Sequence, residues 1–426
     1  MRSHTINWYM VATLGVSIVI AGQFSGWNLG LANGWKNMLL GTALMFLFYV
    51  GFLQLISEMG STWPSAGGLA KYTSLAFGKM PGGLVNVSMA IALIAGTGIV
   101  GGFIASYGET VLGINGLVLK GLLFFFVLIL HLAGTKEAMW VVILAGLVAV
   151  FTLLGFAAVS LPHFDITILK RDQSSLSLNG VISVLPFSLW MFIGVEQAVT
   201  ASEEARSPGK DLPRGLTLAL IILCLTAAGV LFGALGLGHI DELTVAGDPL
   251  LATLNLKTFP FMHSAIGFGA IFGLIASFFS LSYSASRQVF DLSRTQFFPE
   301  GFSTINHKGI PVKAFLFVMV AGFGVSFIHP EKILLAMVLL FTATYLITAL
   351  AYIRLRYSHV NTPRRYHARG GKITGYITII LASLIFYACF SADVLTMSVI
   401  GSIFTAVIAY HVFKRKKIMS LVSSNN

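Results

Sequence analysis

The sequence predicts an all-α polytopic membrane protein of about twelve transmembrane helices, in two five-helix sets of inverted topology, each led by a broken helix. Three observations carry this. The chain has 426 residues, of which 56% are apolar and 10% charged, with mean hydropathy +0.86; soluble domains carry roughly 25% charged residues. The apolar residues fall in runs of about 20, the length that crosses a bilayer. Two of these runs, in corresponding places of two halves, are interrupted, and paired interruptions point to a binding site at mid-membrane.

Spans are expected at 8–32, 37–59, 84–108, 117–133, 138–160, 180–203, 214–238, 262–286, 313–329, 332–353, 374–391 and 394–412. An odd number of spans per set inserts the second set upside down, so residues 1–160 and 161–356 form the two repeats. Residues 357–426 add two spans and a basic tail. The net charge of +11 orients the chain. With a cytoplasmic start, all 27 Lys and Arg residues fall on the inner side except Lys36, Lys120, Lys170, Arg171, Lys257 and Lys332. That asymmetry places both termini in the cytoplasm of a plasma (inner) membrane protein and leaves no call for nucleic acid. Arg2 and His4 precede an apolar run with no small-residue cleavage site, so no cleavable signal peptide is expected. Cys224 and Cys389 sit inside apolar spans and read as free thiols. His239, His263 and His329 are scattered among outer loops, so neither a metal cluster nor a cofactor is expected, and an enzyme is disfavoured.

The first span carries Gly22-Gln23-Phe24-Ser25-Gly26. Gly22 and Gly26 have the spacing of close helix packing. They also suit an unwound segment lining a cavity, the setting in which irregular backbone survives at that depth. Gln23 and Ser25 then add polar side chains, and Phe24 and Trp27 aromatic walls. Span two ends in Glu58–Gly68, a Pro/Gly-dense turn with Glu58 near the boundary, solvated or salt-bridged, followed by an interfacial segment at 71–80. Spans three to five offer little polar chemistry: Glu109 reads as a loop acid and His131 as a hydrogen-bonded interface histidine.

Span six, Val181–Glu204, is the organising stretch. Pro186 removes a donor, Gly194 permits departure from helical geometry, and Glu196 follows at bilayer depth, where an ionisable group is a functional-site hypothesis. Span seven is expected to open at Pro213, in a first-turn position. Ser280, Ser282, Ser284 and Ser286 in span eight either bond back to the preceding turn or offer oxygens to a small cation. Two broken helices facing each other argue for a carrier.

Several motifs resemble those of the amino acid–polyamine–organocation (APC) permeases. Glu58-Met-Gly-Ser-Thr-Trp-Pro-Ser-Ala-Gly-Gly68 resembles the signature after span two, and Trp190-Met-Phe-Ile-Gly-Val-Glu196 the broken span six. Arg206–Arg214 is similar to the following inner loop, and Ser286-Arg287, Phe298-Pro299 and Gly309-Ile-Pro311 to the eight-to-nine loop. Gly22–Trp27 looks most like the ethanolamine-permease branch, with Gln23 where that branch usually has an acid. The resemblance implies a leucine-transporter-type fold and a secondary active transporter taking up a small amine such as ethanolamine by alternating access. An amino acid or polyamine carrier of the same fold is the alternative. It further implies Trp190 as a gate, Phe192, Ile193 and Gly194 as backbone contacts, and Glu196 as the coupling or gating acid. An ammonium would be held by unwound carbonyls and by cation–π contact with Phe24, Trp27, Phe187, Trp190 or Phe192. The span-five lysine of proton-coupled relatives is absent, so the coupling ion, proton or sodium, stays open.

Overall fold

A computed structural model describes residues 6–133, 135–171, 174–254, 259–306, 309–390 and 394–424. Of the basic residues used to orient the chain, Arg2, Lys257 and Lys308 lie outside this set. Among the described residues, eight helices are long and apolar enough to cross a bilayer, joined by one bent pair and three shorter apolar helices. Together they supply twelve spans. Span 1 comprises Trp8–Val19, Ala21–Phe24 and a 3-10 helix Trp27–Asn33. Spans 2 to 5 are Trp35–Thr62, Lys79–Leu112, Gly116–Ala133 and Thr135–Ser160, with an interfacial helix Gly68–Phe77 after span 2. Span 6 comprises Leu178–Trp190 and a 3-10 helix Val195–Glu203, bent by 42°. Spans 7 to 12 are Pro208–Leu237, Pro260–Arg294, Val312–Val325, Pro330–Ser358, Lys372–Cys389 and Val394–Ser424.

Local chemistry sets the helix starts. The Asn7 side chain accepts the Met10 N–H at 3.3 Å to cap span 1, and Ser177 accepts the Gly180 N–H at 3.0 Å to cap span 6. Pro208, Pro260 and Pro330 open spans 7, 8 and 10, where a missing N–H costs nothing.

Several of the main packing pairs recur when each of the first five spans is exchanged with the span five places later. Span 7 packs on span 1 as span 2 packs on span 6; span 8 packs on span 5 as span 3 packs on span 10; span 3 packs on span 4 as span 8 packs on span 9. This is the five-plus-five inverted repeat of the leucine-transporter-type fold. Spans 11 and 12 stand outside it, and in span 12 the stretch Met397–Lys414 has no buried residue.

Three local expectations are corrected. The span-6 helix runs through Pro186 and breaks only at Met191–Gly194. A proline deletes a single donor, and neighbours in a bundle re-satisfy the freed carbonyl. Span 7 opens at Pro208, so Pro213 sits inside the helix rather than in its first turn. The span-1 interruption is narrower than Gly22–Gly26: Ala21–Phe24 is helical, and the chain leaves the helix at extended Ser25 and at Gly26, with φ +94°.

Candidate functional site

The two breaks face each other across the middle of the bundle. Gly26 and Gly194 have φ of +94° and +104°, left-handed geometry that only glycine adopts cheaply. Gly22 lies so close to the Trp190 carbonyl that a Cβ there would collide with it, and a Cβ on Gly194 would meet Ile18. Trp190 Nε1 donates to the Ser25 carbonyl at 2.8 Å, and the Tyr107 hydroxyl to the Phe24 carbonyl at 2.8 Å. The buried Gln23 amide reaches across, donating to the carbonyls of Met191 at 3.2 Å and Leu223 at 2.9 Å. Span 8 contributes Ser277, whose hydroxyl accepts the Ala21 N–H at 3.1 Å and donates to the Ser17 carbonyl at 2.8 Å. A serine thus fills one missing rung of the span-1 helix. The serines at 280, 282 and 286 instead bond back to their own helix, to Ala276, Phe279 and Tyr283.

Taking the backbone groups one by one separates donors from acceptors. In span 1, Ala21 donates to Ser277, Gln23 to the Ile20 carbonyl, Ser25 to the Ala21 carbonyl and Gly26 to Asn28 Oδ1. In span 6, Met191 donates to Ser188, Phe192 and Ile193 to Leu189, Gly194 to Glu196 and Val195 to Phe192. These nine N–H groups are engaged. The carbonyls of Trp190 and Ile193 accept no hydrogen bond among the described residues. The site presents acceptors.

Two small cavities lie on either side of the Gly194 break. The central one is lined by Ile18, Val19, Ala21 and Gly22 of span 1, Trp190 and Ile193 of span 6, and Val100, Leu281 and Met337 of spans 3, 8 and 10. Its walls are apolar and carry no ionisable side chain. The second lies towards the face that holds the N-terminus, between Gly67–Ala70, Met89, Gln288 and the span-6 residues Glu196, Gln197, Val199 and Thr200. Glu196 is fully buried and folds back over its own break. It accepts the Gly194 N–H and the Gln197 side-chain amide, each at 3.1 Å, with the Tyr345 hydroxyl nearby. Tyr345 in turn shares a 3.1 Å hydrogen bond with Tyr49.

Each face is closed over the breaks. On the face opposite the N-terminus, the connector between spans 7 and 8 folds inward. The Ser25 hydroxyl donates to the Gly247 carbonyl at 2.8 Å, and the Asn28 amide to Leu243 and Ala246 at 2.7 and 2.9 Å. Asp248 of that connector accepts the Thr110 hydroxyl at 2.5 Å, and its burial raises its pKa from the ordinary aspartate value. On the N-terminal face, Ile6 pairs with Ala205 as a short bridge, and Glu203 accepts the Ala66 N–H at 3.0 Å. Glu58 lies buried there in a double ion pair with Arg356 and Arg364.

Of the residues singled out from sequence, Gly22, Trp190 and Ile193 line the central cavity and Glu196 the second. Gln23, Phe24, Ser25 and Gly26 form the surrounding hydrogen-bonded shell, while Trp27 is buried beyond it. The Phe192 ring turns away towards Tyr49, 5.8 Å between centroids. His131 does not make the expected hydrogen bond among the described residues: it is stacked on Phe315 at 3.9 Å, with both ring nitrogens buried. Sequence reading missed Tyr49, Tyr345 and Ser277. The serine-rich span 8 pointed to the right helix but one turn too late.

Residues 7–413 match the amino acid permease family model, and the chain belongs to that family, within the APC group. It is a multi-pass membrane transporter, not an enzyme. An uncharacterized transporter of Rhizobium meliloti (strain 1021) is 26% identical, over 72% of this chain and 69% of its own. The uncharacterized amino acid permease YecA of Bacillus subtilis (strain 168) is 28% identical, over 74% of this chain and 73% of its own. The L-methionine/branched-chain amino acid exporter YjeH of Escherichia coli (strain K12) is 23% identical, over 64% and 65%. A mutant of the Eremococcus coleocola manganese transporter superposes over 97% of this chain and 95% of its own, with TM-score 0.57 at 13% identity, and so shares the fold.

Proposed function

We propose that this permease takes up a small amine such as ethanolamine across the plasma membrane by alternating access, with both termini in the cytoplasm. One observation carries the amine reading: nine N–H groups at the breaks are engaged within the protein, while the Trp190 and Ile193 carbonyls accept no hydrogen bond among the described residues. A carboxylate needs donors; an ammonium needs acceptors. The Trp190 indole at the cavity wall adds an aromatic face, worth about 0.5–2 kcal/mol to a cation. Gly22–Trp27, Trp190 and Phe192–Gly194 make up the binding region, with Trp190 as gate and Glu196 as the coupling or gating acid. Residues 1–160 and 161–356 act as the two repeats, with 357–426 appended.

A second reading, a small apolar amino acid, draws on the aliphatic walls at Ile18, Val19, Val100, Leu281 and Met337 and on the relatives' named substrates. A polyamine suits the site less, because several charges would enter a cavity with no counter-ion. Labelled ethanolamine uptake into proteoliposomes, competed with alanine, arginine and putrescine, separates these. The amine reading expects ethanolamine to accumulate and to be displaced by none of the three. Displacement by alanine would move the assignment to an amino acid.

A further inference from the structure

We infer that the cavity on the N-terminal face is a release subsite for the cargo's ammonium group, with the Glu196 carboxylate as its counter-charge and Gln197, Thr200 and Gln288 as neutral hydrogen-bonding partners. This rests on the amine reading above. Of the side chains lining the two cavities, Glu196 alone is ionisable, and it faces the second cavity rather than the central one. A carboxylate offers about four acceptor positions. The groups that hold Glu196 are all neutral: the Gly194 N–H and the Gln197 amide donate to it, and the Tyr345 hydroxyl lies beside them. A fully buried carboxylate held by neutral donors lacks the cation that its environment calls for. An arriving ammonium supplies that charge.

The neighbours fit the same guest. The Thr200 hydroxyl donates to the Gln197 carbonyl at 2.7 Å, so its lone pairs are left as acceptors, and Gln288 lines the same cavity from span 8. The subsite is separated from the central cavity by the span-6 break itself: Trp190 and Ile193 line one side of Gly194, and Glu196 the other. Reordering of those few residues would pass an ammonium from backbone carbonyls to the carboxylate without exposing it to hydrocarbon. On the opposite face, the connector carbonyls of Leu243, Ala246 and Gly247 are already bound by Asn28 and Ser25. The two faces are therefore unequal in their affinity for the same amine.

The test is sided transport of labelled ethanolamine in proteoliposomes of fixed orientation, with half-saturation measured from each face. Thr200→Val and Gln288→Leu remove neutral partners without touching Glu196 or the central cavity, and thermal melting in detergent checks that both variants are folded. The expected result is half-saturation raised about fivefold from the N-terminal face and essentially unchanged from the other. Equal changes on both faces, or none on either, overturn the subsite while leaving the amine reading intact. A wild-type protein that moves no amine from either face overturns both together.

Discussion

Two fully buried carboxylates, Glu58 and Glu196, sit in this bundle in opposite electrostatic circumstances. Glu58 is saturated with charge. Arg356 donates through Nε at 2.8 Å and Nη2 at 2.5 Å, Arg364 through Nη1 at 2.6 Å, Tyr352 through its hydroxyl at 3.1 Å, and Ala368 through its N–H at 2.8 Å. These bonds join the end of span 2 to the end of span 10 and to the connector that follows. Glu196 is held by neutral groups alone, beside a backbone break and a cavity. The contrast assigns them different work. A buried anion surrounded by its own cations fixes geometry. A buried anion without one responds to whatever charge reaches it.

The sharpest way to break this comparison is to truncate each acid in turn. Glu58→Ala strands two guanidinium groups and should cost about 3–5 kcal/mol of stability, read as a large drop in melting temperature or a failure to purify as a monodisperse protein. Glu196→Gln keeps the shape, loses only the charge, and should melt near the wild type. Its transport should fall steeply and lose its dependence on pH. If the two variants melted alike and transported alike, the distinction would be void. A smaller effect sharpens the account of the break. Ser277→Ala leaves the Ala21 N–H and Ser17 carbonyl without the hydroxyl that joins them, at about 1–3 kcal/mol. The measurement is melting of the variant with and without saturating ethanolamine. The loss should be larger in the ligand-bound protein, where the break must keep its shape.

Much of the fold was legible because lipid is a severe solvent. A run such as Pro208–Leu237 has no alternative to a helix, so composition and length locate it, and the twelve expected spans match the observed helices with ends shifted by up to about a dozen residues. Gly26 and Gly194 stood out because positive φ demands glycine. Pro186 misled, since a proline flags only a lost donor and says nothing about the neighbours that compensate. The partners of the site were not legible at all. Arg356 and Arg364 lie 298 and 306 residues from Glu58, and Ser277 lies 260 from Ser17. Nor does any sequence pattern reveal which backbone N–H groups at a break are already engaged: Asn28 and Glu196 turn back two residues onto Gly26 and Gly194, and Ser277 reaches Ala21 from 256 residues away.

The central claim is that the breaks offer acceptors and withhold donors. An experimental map of the protein in nanodiscs with bound ethanolamine tests it most directly. The account predicts the ligand nitrogen within hydrogen-bonding distance of the Trp190 or Ile193 carbonyl, with its methylenes against the aliphatic wall of spans 1, 3 and 10. A ligand whose acceptor atoms sit on the N–H groups of residues 21–26, with the nitrogen pointing away from span 6, would contradict it.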